Sequence, residues 1–170
     1  GYKVYSYEHN GADTEYWRND FLSIVQKEDN YHKTHEFLSI CKDYVTQEMP
    51  KSYNLSKADQ IDLVNKSVEY FKSNEEFDNE EFKKVVFEDD STIKSFTTYT
   101  NEEFQDESKN LSNFTISQSA VKKQSKRFKS VLKLDTNFHV YIHGNRDLIE
   151  KGYDDTKEKS FYKIYFDEEI

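Results

Sequence analysis

The spacing of apolar residues changes along the chain from a helical period to a period of two. Up to about residue 127, apolar positions recur every three or four residues, which is typical of amphipathic helices. The segment YHKTHEFLSICKDYVTQEM predicts a helix that Pro50 ends. Ser56 is predicted to be the N-cap of a helix over KADQIDLVNKSVEYFKSN, and Asp78 with Glu81 has capping-box spacing before FKKVVF. Further helices are predicted over EYWRNDFLSIV, STIKSFTTYTNEEFQDES and, after Ser117, QSAVKKQSKRF.

Beyond residue 127 the apolar residues alternate, which indicates β-strands. Three runs, FKSVLKLD, FHVYIHG and FYKIYFDE, have this pattern, and the tight turn DTN joins the first two. Residues 145–155 are predicted to form a loop or short helix. The predicted fold is α+β in a single domain over 1–170, with a helical part at about 13–127 and a small antiparallel sheet at about 128–170. A strand at 2–7 is a candidate additional member of that sheet.

Composition adds an expectation about the core and about charge. Phe and Tyr contribute thirteen residues each, so the core should be rich in aromatic rings. The one cysteine, Cys41, lies in an apolar run and is expected to be a buried thiol in a reducing compartment. No apolar run has the length of a membrane span and no leader segment is apparent, so we expect neither.

The net charge of −9 hides a strongly basic segment. Residues 111–133 contain no Asp or Glu and six cationic residues. At helical spacing, Lys122, Lys126 and Lys129 would line one edge, and Lys123 with Arg127 the adjacent edge. Together with Lys133, these side chains are the candidate contacts to DNA phosphates. The alternative is a solvated basic face that offsets the acidic helices around it.

The predicted sheet has a second candidate surface. If Phe128, Leu132, Val140 and Ile164 point inward, a mixture of cations and aromatic rings points outward. These outward residues are Lys129, Lys133, His139, Tyr141, His143, Lys163 and Tyr165. Such a face can stack single-stranded bases, or it can lie under a helix or a partner subunit.

Metal and catalytic sites are not favoured by the sequence. In a strand, His139 and His143 would lie roughly 13 Å apart, at about 3.3 Å per residue, too far to share one ion. Asp29, His32, His35 and Glu36 could line a helical edge, but a solvated helix face is the commoner arrangement. The usual nucleophile and phosphate-binding motifs are missing from the sequence, so we predict no cofactor and no enzymatic activity.

Several long segments resemble one protein family. SAVKKQSKRFKSVLKLDTNFHVYIHGNRDLIEKGYDD, followed by FYKIYFDEE, closely resembles the C-terminal region of the bacterial 37-kDa nucleoid-associated proteins, in the form typical of Bacteroidetes. EYWRNDFL, DNYHKTHEFLSICKDYV and SKADQIDLVNKSVEYF are similar to the family as well. Members are considerably longer than this chain, which implies that an N-terminal half is missing here.

The resemblance implies a cytoplasmic protein of the nucleoid that binds DNA directly or through DNA-bound partners. We therefore predict a non-enzymatic nucleoid-associated protein with weak, salt-sensitive binding of double-stranded DNA. The alternative is an interaction module without DNA contact, in which acidic helices dock a basic DNA-processing protein or exposed aromatic residues form a homodimer.

Overall fold

The helices occupy the first part of the fold. The structure, a computed structural model, describes residues 29–103, 113–128 and 130–169. The helices are α1 (Asn30–Asp43), a π-helical segment (Tyr44–Glu48), α2 (Met49–Ser52), α3 (Lys57–Ser73), α4 (Asn79–Phe87), α5 (Asp90–Glu103), α6 (Gln118–Ser125) and a 3-10 helix (Arg146–Leu148).

The first long helix continues past its proline. Pro50 lies in the first turn of α2 and the chain stays helical to Ser52, so the prediction that Pro50 ends the helix is wrong. In the π-helical segment before it, the Met49 N–H donates to the Tyr44 carbonyl, five residues back. The wider turn of the π-helical segment interrupts the regular series of helical hydrogen bonds just before Pro50. Proline has no N–H to donate to that series, so its ring is tolerated at this position.

Two predicted helix starts are confirmed by their hydrogen bonds. At α3, the Asp59 N–H donates to Ser56 Oγ (3.2 Å) and the Ser56 N–H donates to Asp59 Oδ2 (2.7 Å), a complete capping box. At α4, the Glu81 N–H donates to Asp78 Oδ1 at 2.9 Å. Ser117 does precede α6, but its side chain makes no capping hydrogen bond.

The core between the helices is aromatic, as the composition predicted. The Phe37 ring lies 4.4–6.1 Å from four other phenylalanine rings, measured between centroids. Those neighbours are Phe71, Phe77, Phe82 and Phe96. Cys41 is buried beside them with its Sγ 3.1 Å from Ser67 Oγ, and burial raises the pKa of the thiol to about 12. The prediction of a buried thiol is confirmed.

The strands form three separate antiparallel pairs among the described residues. They are β1 (Glu76–Phe77) with β2 (Phe114–Thr115), β3 (Val131–Leu134) with β4 (Phe138–Tyr141), and β5 (Ile149–Asp154) with β6 (Lys159–Ile164). The α+β class and the DTN turn are confirmed. The strands after residue 128, predicted as one small sheet, are two hairpins that are not hydrogen-bonded to each other.

The strand β5 lies where a loop or short helix was predicted. Ile149 is its one buried residue, and its other positions are exposed or half-buried, so the sequence lacks the clear alternation that a half-buried strand shows. Gly152 pairs with Phe161 of β6, whose ring lies over it. A Cβ at position 152 would collide with the ring where it lies, so the absence of a side chain lets the ring lie against the strand.

Both hairpins are fastened to α3. A small apolar cluster of Leu132, Ile142 and Ile149 forms around Ala58 in the first turn of α3. Asn65, farther along α3, donates from Nδ2 to the Ile142 carbonyl (3.2 Å) and accepts from Ser130 Oγ at Oδ1 (2.7 Å). These contacts hold the hairpins along the helix.

Some predictions concern segments outside the described residues. They are the strand at 2–7, the helix over EYWRNDFLSIV, the end of the STIKSFTTYTNEEFQDES helix beyond Glu103, and Lys129. The single-domain organisation stays a prediction.

Candidate nucleic-acid interface

The helix α6 is fixed to the core by one face. Ala120, Val121 and Gln124 are buried on that face. The Gln124 side chain donates from Nε2 to the His35 carbonyl (3.1 Å) and to Ser39 Oγ (2.8 Å), which ties α6 to α1. The position and facing of α6 are therefore determined by buried contacts.

The opposite face of α6 carries the basic residues. We call Lys122, Lys123, Lys126 and Arg127 the basic segment; all four side chains are exposed. None of them forms an ion pair with any of the described residues. Four cations are thus presented to solvent without a carboxylate partner in that part of the chain.

The helix that carries the predicted basic edges is shorter than the sequence predicted. The helix α6 ends at Ser125, Lys126 is its C-cap in an αR conformation, and Arg127 lies in the following turn. The N–H groups of Arg127 and Phe128 both donate to the Gln124 carbonyl, which tightens the chain into a turn. The helix stops one residue after Gln124, so Arg127 leaves the helical edge on which it was predicted to lie.

The basic segment affects the electrostatics of α1. Burial, then the charges of Arg127 and Lys123, lower the pKa of His35. Lys123 Nζ also lies 6.0 Å from the centre of the Tyr31 ring. The positive potential around α6 therefore extends over the neighbouring helix.

Lys133 lies apart from the basic segment. It is exposed on β3, directly opposite His139 on β4. The structure therefore does not place it on the same helix as the other predicted DNA contacts.

The predicted outer face of the sheet is divided between the two hairpins. His139, Tyr141 and His143 belong to the first hairpin and the segment after it, and all three are exposed. The Tyr141 and His143 rings are nearly parallel, at 12°, with centroids 6.4 Å apart. A stacking surface could use this ring pair without the second hairpin.

The second hairpin carries Lys163 and Tyr165, and both are exposed and contact each other. Lys163 Nζ is 4.5 Å from the Tyr165 ring centre. The Tyr165 hydroxyl donates to Glu150 Oε1 at 3.0 Å, and the same carboxylate lies 3.9 Å from Lys163. Glu150 therefore offsets the lysine charge, which weakens this hairpin as an anion site.

The inward face was predicted less well. Leu132 is buried and Val140 half-buried as expected, but Ile164 is 46% exposed. Exposed apolar side chains are frequent on both hairpins and on the segments that flank their strands. They are Phe138, Tyr141, Leu148, Tyr153, Phe161, Ile164, Tyr165 and Phe166.

The candidate metal ligands have other contacts. Asp29 is the N-cap of α1 and accepts the His32 N–H at 3.1 Å, and His32 Nε2 lies 3.4 Å from Glu36 Oε2. Within residues 29–103, 113–128 and 130–169, no three His, Cys, Asp or Glu side chains are grouped so that they could hold a metal ion.

Two lysines that the sequence did not single out lie near Lys133. Lys42 at the end of α1 and Lys57 at the start of α3 line the same groove as Lys133, and Lys42 Nζ lies 5.6 Å from the centre of the Phe128 ring. No spacing pattern could have indicated this group, because its members come from three elements that only the tertiary fold brings together.

Comparison with known proteins identifies a family. The family model described as nucleoid-associated protein YejK matches residues 2–163. No curated protein and no solved structure matches the chain. None of the helices in the described part of the chain combines the length and apolar character needed to cross a bilayer.

Proposed function

Because the chain belongs to the family described as nucleoid-associated protein YejK, we propose that it is a non-enzymatic protein of the bacterial nucleoid whose basic segment binds double-stranded DNA. The family membership supports a role at the nucleoid, in the cytoplasm. The duplex contact is proposed from the residues of this chain.

The observation that carries the duplex contact is that the basic segment is exposed and forms no ion pair with the described residues. Its four cations have no carboxylate partner among the described residues, so binding DNA would not require breaking an ion pair there. Gln124 holds α6 in place, so the helix that carries the lysines does not have to become ordered before they contact the DNA backbone. The net charge of −9 opposes the approach of DNA, and the binding is therefore weak and local.

The test is a titration of fluorescently labelled duplex DNA with this chain, followed by anisotropy. If about four phosphates are neutralised, log affinity falls with log salt at a slope of roughly −3.6. Affinity then decreases by about 150-fold between about 50 and 200 mM salt. A curve that shows no saturable binding at the lower salt concentration would exclude duplex contact by this region.

A charge-reversal pair locates the contact. Lys122→Glu with Lys126→Glu is expected to remove most of the binding while the far-ultraviolet circular dichroism spectrum stays unchanged, because both side chains are exposed. The control is Lys94→Glu with Lys159→Glu, which makes the same change of net charge on exposed lysines of α5 and β6. If both pairs weaken binding equally, the effect comes from net charge and not from the basic segment.

A second candidate function is favoured by the exposed apolar side chains of the hairpins. Tyr153 and Phe166 are 58% and 69% exposed, and side chains of this kind commonly mark protein interfaces. In this alternative the chain forms a homodimer through the hairpins, or docks a basic DNA-processing protein on its acidic helices, without touching DNA. Light scattering that shows a defined dimer, together with no duplex binding at low salt, would favour it.

A further inference from the structure

A groove between α3 and the first hairpin combines an apolar floor with a positive rim. Its volume is about 310 Å³, at the small end of the range for ligand pockets, about 300–1,000 Å³. The floor is made by Ile61 and Val64 of α3 together with Phe128 and Leu132. A space of this size suits one large anchoring side chain and the backbone beside it.

The charged residues that line the groove in the described part of the chain are all lysines. Lys42 comes from α1, Lys57 from α3 and Lys133 from β3, and no carboxylate is among the described residues that line it. The ion pairs between described residues involve none of the three. In a chain with a net charge of −9, the three lysines are a local concentration of positive charge.

Each uncharged polar side chain among the described residues that line the groove makes at least one hydrogen bond within the protein. The Asn65 amide bonds to the Ile142 carbonyl and to Ser130, and Gln60 Oε1 accepts from Lys57 Nζ at 2.9 Å. Reading the edge of a nucleobase requires available donors and acceptors of this kind. What the groove presents to a ligand is apolar surface and ammonium groups, which disfavours a base and favours an apolar side chain flanked by carboxylates.

We propose that this groove binds an acidic peptide segment of a partner protein, which inserts one aromatic or branched apolar side chain between α3 and β3. The flanking carboxylates of the peptide then contact Lys42, Lys57 and Lys133. The argument is charge complementarity around an apolar anchor, as in other anchored peptide interfaces. The groove adjoins the basic segment, since Lys42 and Arg127 line one neighbouring pocket, but none of the four cations of that segment lines the groove itself. The groove therefore gives the chain a protein partner in addition to the duplex contact.

The probe is the fluorescein-labelled peptide Asp-Asp-Glu-Phe-Glu-Asp, titrated with the chain and followed by anisotropy. We expect saturable binding that decreases about tenfold or more when the phenylalanine of the peptide is replaced by alanine, because the ring occupies the apolar floor. A peptide in which lysines replace the acidic residues is expected not to bind. Equal binding of the alanine peptide would show that the groove floor is not used, and would overturn the proposal.

The protein variants separate the groove from the basic segment. Lys42→Glu with Lys57→Glu is expected to weaken peptide binding about tenfold or more. The matched control, Lys122→Glu with Lys123→Glu, makes the same charge change outside the groove and is expected to change it by less than about threefold. The pair Lys42→Gln and Lys57→Gln removes charge without adding repulsion, and circular dichroism checks that each variant is folded.

Two further outcomes would overturn the groove proposal, and a third would overturn only the duplex contact. If unlabelled duplex DNA competes with the peptide and the groove variants lose DNA affinity as well, the groove belongs to the DNA surface. If the chain does not bind the peptide but forms a dimer that the groove variants dissociate, the occupant is a second copy. If the chain binds the peptide but does not bind duplex DNA, the proposed duplex contact is refuted and the proposal of a peptide-binding groove stands.

Discussion

The buried amide of Gln124 connects the fold to the proposed DNA contact and allows a quantitative prediction. Gln124→Ala removes two hydrogen bonds, to the His35 carbonyl and to Ser39 Oγ. At a net value of about 1 kcal/mol each, their loss costs about 2 kcal/mol. The smaller side chain leaves about 50 Å³ empty, which at about 24 cal/mol per Å³ adds roughly 1 kcal/mol. The free energy of unfolding should therefore fall by about 3 kcal/mol.

Urea unfolding, monitored by circular dichroism, measures this change in the free energy of unfolding. A second substitution, at Ser39, shows how much of the change comes from the hydrogen bond between Gln124 and Ser39. Ser39→Ala alone is expected to cost about 1 kcal/mol. The Gln124→Ala and Ser39→Ala double variant should cost about 1 kcal/mol less than the sum of the two, since the shared bond is lost only once. DNA affinity should fall as well, because α6 is then held less firmly to α1.

The control is the same substitution at an exposed position of the same helix. The Gln118 side chain donates to the carbonyls of Phe71 and Asn74, but it lies at the surface. Gln118→Ala should cost no more than about 1 kcal/mol, since water can replace those partners. Equal costs at the two positions, or strict additivity of Gln124→Ala with Ser39→Ala, would refute the assignment of Gln124 as the buried link between α6 and α1.

Two further predictions concern titrating groups. Burial disfavours the charge on Asp59, but its hydrogen bonds with Ser56 and with Arg146 outweigh that effect and lower the pKa of the carboxyl group. A depressed pKa in the folded state adds stability above the unfolded value of about 3.9, and that stability is lost as the pH falls through the folded value. The stability difference between the parent and Asp59→Asn, measured by urea unfolding, should therefore shrink below about pH 4; a constant difference would contradict it. Burial raises the pKa of the Cys41 thiol to about 12. A disulfide reagent at about pH 8 should therefore react with the folded chain only as fast as the chain unfolds, and rapidly in urea. Fast reaction of the folded chain would show that the thiol is accessible.

The helical part of the fold was largely predictable because its determinants are local. Ser56 and Asp78 cap helices through residues three positions away, and the apolar stripe of α3 is visible in its spacing. The exception is Pro50, which the chain accommodates with a π-helical segment. Proline alone indicates a helix end, so this outcome could not be read from local rules.

The strands β3, β4 and β6 were predicted because apolar residues alternate along them, and β1, β2 and β5 were missed. The hairpin of β3 and β4 has Leu132 as a buried position and a recognisable turn. The strand β5 is buried only at its first residue, and β1 and β2 are two residues long and pair through contacts between distant parts of the chain. Strands that are this short, or that lack a continuous buried face, show no clear period in the sequence, so only the pairing partner reveals them.

The sequence by itself determined the α+β class, the aromatic core, the buried thiol and the concentration of positive charge near α6, since composition and local spacing encode all four. The tertiary structure decided where the basic helix stops, which hairpin holds each aromatic residue, and that Lys42, Lys57 and Lys133 meet at one groove. Those features depend on which elements pack together, and packing is set by contacts between residues far apart in the chain.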